Sequence, residues 1–256
     1  MAITVRNNFW PSAKYAKAFW TQHEIKPYQE LLADTIEWAA PAADQTWLDL
    51  GCGGGAVTRA IWQRTEGMVE SVTGIDCAAA NEEAYERLRS TLVPAPGGRV
   101  QFLCHDFSSG LDLFADASFD HVVSGLSISY AESFDERTGQ WTTKAYDHLL
   151  SEVRRVIRPG GRFVFSVNVP EPSWGRVAWQ SLPGLFSSRF RLHTLKRQWR
   201  MLRYGRWLKR EARVGRFHYL PAGDVEKRLA AVGFTGIAHR LSYCDQAYIF
   251  RATVPN

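Results

Sequence analysis

The chain has 256 residues, enough for one full hydrophobic core with added elements, and 45% of them are hydrophobic, an ordinary globular share. No apolar run approaches bilayer length, and the opening Met-Ala-Ile-Thr-Val-Arg-Asn-Asn lacks the apolar core of a signal peptide, so a cytoplasmic protein is expected. The formal net charge of +5 is unevenly spread: between Arg189 and Arg216 stand eleven basic residues against one acidic, Glu211, which leaves the remainder at −5.

In chain order, residues 1–44 read as a helical cap of two helices. The first, over 14–22, carries Tyr15, Phe19 and Trp20; the second, over 27–39, carries Leu31, Leu32 and Ile36, with Pro27 at its start and Pro41 beyond its end. Tyr15, Trp20 and His23 are the residues here expected to face a substrate pocket. From 45 the pattern alternates: strand 45–50, helix 56–65, strand 70–75, helix 81–91, strands 99–104 and 119–124, helix 143–157 and strand 161–168. Buried strands alternating with helices predict a parallel sheet covered on both faces, with ligands at the strands' carboxyl ends. Pro159-Gly-Gly is expected to be a turn at the opposite edge.

The most informative stretch is Trp47-Leu-Asp-Leu-Gly-Cys-Gly-Gly-Gly55, an apolar strand with one acidic residue that runs into a glycine cluster. Glycines allow a sharp turn and a ligand lying against bare backbone. Helix N–H groups after the loop would face that ligand. Gly51, Gly53 and Ala56 also satisfy the dinucleotide fingerprint, with Asp76 available for an NAD ribose, so the spacing alone leaves two cofactors open. Cys52, Cys77, Cys104 and Cys244 form no Cys-x-x-Cys pair, and no metal site is expected.

Leu48-Asp-Leu-Gly-Cys-Gly53, with its acidic residue two places before the first glycine, resembles motif I of the class I S-adenosylmethionine (SAM)-dependent methyltransferases. Ser71-Val-Thr-Gly-Ile-Asp76, the strand ending before His105-Asp106-Phe107, Ser118 to Ser124 and Val153 to Ser166 fall in that family's order, so the resemblance covers about residues 45–168. It implies a Rossmann-like three-layer sandwich: a SAM-binding core over 45–168 with a seven-stranded, mostly parallel sheet. A helix and antiparallel hairpin over 220–256 would complete that sheet. Carried over by position, Gly51, Cys52, Gly53 and Gly54 would lie against the methionine and ribose, and Asp49 would orient the amino group. Asp76, with Cys77 beside it, would bind the ribose diol. Asp106 and Phe107 would hold adenine, and the Ser124 carbonyl would accept from the amino group. The acceptor would enter past Ser127, Tyr130 and Glu132. No catalytic constellation is evident, and in-line methyl transfer requires a base only if the nucleophile arrives protonated.

Residues 169–219 form a basic insert in which Leu192, Leu195, Trp199 and Leu202 make one apolar stripe, with Gly205 expected to end or bend the helix. Three roles are open: a lid whose arginines are solvated; a surface on anionic membrane into which Trp199 and Trp207 dip, with a lipid-like acceptor; or a nucleic-acid surface. The expected function is methyl transfer to a small-molecule or lipid-like acceptor. Its rivals are an NAD-dependent oxidoreductase and a non-catalytic methyltransferase fold that binds RNA or membrane.

Overall fold

The computed structural model describes residues 10, 12, 16, 20, 25–180 and 203–256. In chain order these give α1 (Lys26–Ala39), β1 (Thr46–Leu50), α2 (Ala56–Arg64), β2 (Ser71–Asp76), α3 (Asn81–Thr91), β3 (Val100–Cys104) and β4 (Phe119–Gly125). A small hairpin follows, β5 (Ser133–Asp135) and β6 (Gln140–Thr142), then α4 (Lys144–Val156), β7 (Ile157–Asn168) and α5 (Trp174–Gln180). A helix over 203–213, here α6, leads to α7 (Ala222–Ala231), β8 (Thr235–Ser242) and β9 (Ala247–Thr253). The expected helix over 14–22, with Tyr15, and His23 lie largely outside the described residues, and the expected stripe of Leu192, Leu195, Trp199 and Leu202 lies wholly outside them.

One seven-stranded sheet runs in the order β3-β2-β1-β4-β7-β9-β8. The pairings from β3 to β7 are parallel, while β9 is antiparallel to both β7 and β8. The architecture is the Rossmann-like sandwich that the sequence implied. Period-two alternation divides the strand side chains between the two faces. Leu48, Leu50, Val122, Phe163, Phe165 and Phe250 meet Tyr146, Leu149 and Val153 of α4 and Val225 and Leu229 of α7. Trp47, Val123, Val164 and Ile249 meet Leu31 and Ile36 of α1, Val57 and Ile61 of α2, and Tyr85 and Leu88 of α3. With helices on both faces of the central strands, the open approach to them is at the strand ends.

Two expectations about glycines are corrected. Pro159-Gly-Gly is no terminal turn: β7 leaves α4 directly and carries these residues as an irregularity, so that Phe119 pairs with Ile157 and His121 with Arg162. A side chain at Gly161 would collide with the Asp120 carbonyl oxygen, so the excursion holds only with bare backbone. Nor does Gly205 end a helix. It lies inside α6, where a Cβ would stand 2.5 Å from Cδ1 of Trp174, and its absence lets the indole pack against the helix.

Candidate functional site: the carboxyl ends of the parallel strands

The loop after β1 turns at Gly51, whose φ of 65° favours glycine. Its missing side chain leaves room for Ser127 from the loop after β4, and Cε1 of Phe107 stands 3.2 Å from where a Cβ would be. The Gly51 and Cys52 amides both donate to the Ile75 carbonyl (2.9 and 3.0 Å), and Gly53 N donates to Asp76 Oδ2 (3.0 Å). These three donors are therefore spent on β2 instead of facing outward, which tightens the loop against its neighbour strand. At Gly53 a Cβ would meet nothing within 4 Å, and the backbone there borders open space. Cys52 is buried, and burial drives its thiol well above the ordinary range, which leaves it a packing residue.

Asp49 is fully enclosed. Its Oδ2 accepts from Thr58 Oγ1 (2.8 Å), so the carboxylate anchors the first turn of α2, while its Oδ1 has no hydrogen-bond partner among the described residues. Burial lifts its pKa to about 7, and Asp76 pushes in the same direction. Asp76 accepts from Gly53 N and, through Oδ1, from Ala78 N (2.9 Å). Its pKa is also raised by burial, with a further contribution from Asp106. Asp106 caps a short 3-10 turn, Phe107–Ser109, by accepting from Ser108 N (2.9 Å). Four carboxylates thus follow one another across the strand ends: Asp49 and Asp76 interact, as do Asp76 and Asp106, and Asp106 and Glu132. Nearby cations are already matched, Arg216 with Glu132 (2.8 Å) and Arg87 with Glu83 (2.6 Å).

Several expected residues sit differently from their assigned roles. The 3-10 turn rotates Phe107 into the core beside Leu50 and Ile75, so its ring lies under Gly51 and is no outer cover for a base. Ser124 is enclosed, its hydroxyl bonded to the Leu50 carbonyl (2.9 Å) and Ser127 Oγ (2.6 Å); β4 continues to the half-buried Gly125, which ends the strand. Trp20 covers the glycine loop, its Cδ1 3.7 Å from a Cβ built on Gly54. Its indole N–H donates to Asn81 Oδ1 (2.6 Å), and Asn81 opens α3 five residues after Asp76. Trp20 therefore stands on the Asp76 side of the crevice. Asn81 was not expected; its only signal is an amide at a helix start five residues after Asp76.

Residues 48–165 match the model of a methyltransferase domain. Over those residues the chain carries a methyltransferase domain. A trans-aconitate 2-methyltransferase of Streptomyces avermitilis is 27% identical over 167 residues, 64% of this chain and 53% of the relative; the matched stretch thus spans about half the relative's length. The N-methyltransferase NodS of Bradyrhizobium japonicum WM9, solved with S-adenosylhomocysteine (SAH), superposes with a TM-score of 0.60 at 15% identity over 98% of this chain and 100% of that one. A Haemonchus contortus phosphoethanolamine N-methyltransferase 2, solved with SAM, gives a TM-score of 0.57 at 15% identity over 96% of this chain and 58% of that one. SAM is the cofactor of the domain. The crevice fits it: open backbone at Gly53, an unpartnered buried oxygen on Asp49 and a row of carboxylates suit a ligand with a sulfonium and an amino group.

Beyond the methyltransferase crevice, the loop after β4 meets the end of the basic insert. Residues 216–219 run along residues 129–132: His218 N donates to the Ser129 carbonyl (2.9 Å) and His218 Nε2 lies 3.0 Å from the Ala131 carbonyl. Tyr219 and Tyr130 share a hydroxyl hydrogen bond of 3.0 Å, and Phe217 packs edge-on against Tyr130 at 4.9 Å. Trp10 and Trp207 complete the aromatic cluster, with Leu208 beneath. The expectation of solvated basic residues fails for Arg216, which is 5% exposed. It pairs with Glu132 and Glu211 and lies over Trp141 of β6. Trp207 and Leu208 likewise turn inward, whereas Arg203, Arg206, Arg210 and Arg213 form an exposed outer row. Glu171, between β7 and α5, holds Lys209 (2.5 Å) and Arg213 (3.1 Å). No helix among the described residues is long and apolar enough to cross a membrane.

Proposed function

We propose that the chain transfers the methyl group of SAM to a small-molecule or lipid-like acceptor that enters at the aromatic cluster under residues 203–219. The observation that carries the SAM half of this reading is the placing of three carboxyl groups, Asp49, Asp76 and Asp106, at the strand ends beside the open backbone of Gly53. Carboxyl oxygens accept from the hydroxyl, amine and ammonium groups of SAM and are poor partners for a pyrophosphate, which disfavours the NAD alternative that the glycine spacing leaves open. Support for the acceptor half comes from the aromatic cluster of Tyr130, Trp10, Trp207 and Phe217, which packs beside the loop after β4.

When bound, SAM supplies an electrophilic methyl group whose departure leaves SAH. The chain's own residues would then bind, orient and exclude water. Asp76 would accept from the ribose diol, held by the amides of Gly53 and Ala78 so that its oxygens need no reorganisation. Asp106, fixed by Ser108, would accept from the adenine amine. Asp49 would offer Oδ1 to the amino end. Trp20, pinned by Asn81, would cover the glycine loop and keep water from it. Positioning in a dry site is the main contribution such an enzyme makes to an in-line displacement. His218 is no ready base: burial lowers its pKa to about 4 and its ring is already engaged with Ala131.

Calorimetry with SAH, SAM and NADH tests the cofactor. Heat with SAH and none with NADH supports the reading, and the reverse overturns it. SAH release from a panel of acceptors that includes trans-aconitate, amines and phenols then tests the transfer itself.

A further inference from the structure

A continuous chain of contacts joins the cofactor side of the crevice to the segment that roofs the acceptor side. Ser108 N donates to Asp106 Oδ1 (2.9 Å), and Glu132 N donates to Ser108 Oγ (3.2 Å). The Glu132 carboxylate then accepts from Arg216, with both Nε and Nη2 2.8 Å from Oε2, and Arg216 reaches Glu211 in α6 at 3.5 Å. Glu132 and Arg216 are nearly solvent-free, with side chains 1% and 6% exposed, so the pair is formed only when residues 216–219 lie on residues 129–132. Placing two such charges in a dry site is costly unless each meets its partner, and an unpaired state of either is strongly disfavoured inside the protein. The segment is therefore closer to two-state, docked with the pair made or lifted with both groups in water, than to a continuous range of positions.

We infer that Glu132 and Arg216 are positioning residues that couple SAM binding to docking of residues 216–219 over the acceptor end. This rests on the SAM reading above. Docking fixes the Glu132 backbone, the Glu132 backbone fixes Ser108, and Ser108 holds the carboxylate proposed to receive adenine. A ligand that prefers the ordered Asp106 turn must favour the docked segment, and by linkage the docked segment must tighten that ligand. The same docking sets the Tyr130 ring through Phe217 and Tyr219, so the acceptor walls assemble on the side where the cofactor is held.

Hydrogen exchange of the full chain with and without SAH tests this, because the His218 amide is bonded across the seam to Ser129. Saturating SAH is expected to slow exchange over 216–219 by about tenfold, within the ordinary range of coupling between sites. In Glu132→Gln/Arg216→Gln, which leaves no lone buried charge, SAH should still protect residues 51–55 but no longer slow 216–219, and its affinity should fall by a similar factor. Protection of 51–55 in the wild-type chain with 216–219 unchanged overturns the inference and leaves the SAM reading standing. Absence of calorimetric heat with SAH overturns both. The wild-type measurement decides the matter even where the double variant does not fold.

Discussion

Asp49→Asn should stabilise the ligand-free protein, and by an amount that depends on pH. The native carboxyl is enclosed and its pKa lies at about 7 against 3.8 in the unfolded chain, burial being the main cause. Between those two values the folded state holds a proton that the unfolded state has lost, so stability falls as pH rises through this window and stays low above pH 7. The rise from 3.8 to about 7 corresponds to a cost on the order of 4 kcal/mol at alkaline pH, since a tenfold change in acidity is worth about 1.4 kcal/mol. An amide removes the charge, and its oxygen can keep the bond to Thr58. The advantage of Asn over Asp should therefore be largest at pH 8 and smaller by roughly 3 kcal/mol at pH 5, where the wild-type carboxyl is already neutral. For a chain of this size that difference is roughly 6–12 °C in Tm. Thermal melts of both proteins from pH 5 to 8, without ligand, measure it. An advantage that does not vary with pH would show that Asp49 is not held as a strained buried acid, and the case for a waiting cation partner would go with it. In the same variant SAH should bind more weakly; unchanged affinity would reduce Asp49 to an anchor for α2.

Asp76→Ala removes the acceptor for Gly53 N and Ala78 N as well as the proposed ribose contact, and it should weaken SAH binding by about 1–3 kcal/mol, the scale of charge-assisted hydrogen bonds; a dissociation constant within twofold of wild type would refute that role. Gly55→Ala places a Cβ 2.5 Å from Leu88 at a φ of 78°, so denaturant unfolding should show a loss of about 1–3 kcal/mol; a stability equal to wild type would contradict the close approach of α3 to the loop. Replacing the exposed Arg203, Arg206 and Arg210 by Gln tests the proposed contact with anionic membrane. Partitioning onto anionic vesicles at low salt should fall severalfold, and identical partitioning of variant and wild type would leave this row without a membrane role.

Strand and helix positions were legible in the sequence because alternation and glycine punctuation act locally, and the parallel order followed from them. The places of Asp49, Asp76 and Asp106 were also legible, since each stands at a strand end that periodicity can locate. What did not show was the direction in which a side chain turns after the strand stops. Phe107 goes inward because Asp106 caps a turn, and Ser124 is enclosed because β4 runs one residue further. The seam between residues 129–132 and 216–219 was illegible for a different reason. Arg216 reads as one more charge in a basic run, and only the meeting with Glu132, 84 residues earlier, makes it a buried partner. The β5–β6 hairpin, which brings Trp141 beneath that guanidinium, is too short to carry a periodic signal.

The sheet order bears on assembly. β8 touches the rest of the sheet only through β9, a strand made after it and inserted between it and β7. During synthesis β8 can emerge complete and still have no neighbour to bond, so its row of backbone groups stays wet until residues 247–253 arrive. A nascent chain halted before position 247 should therefore release β8 from the body, and the Phe165 ring of β7, which stacks on Phe250, would lie bare to chaperones.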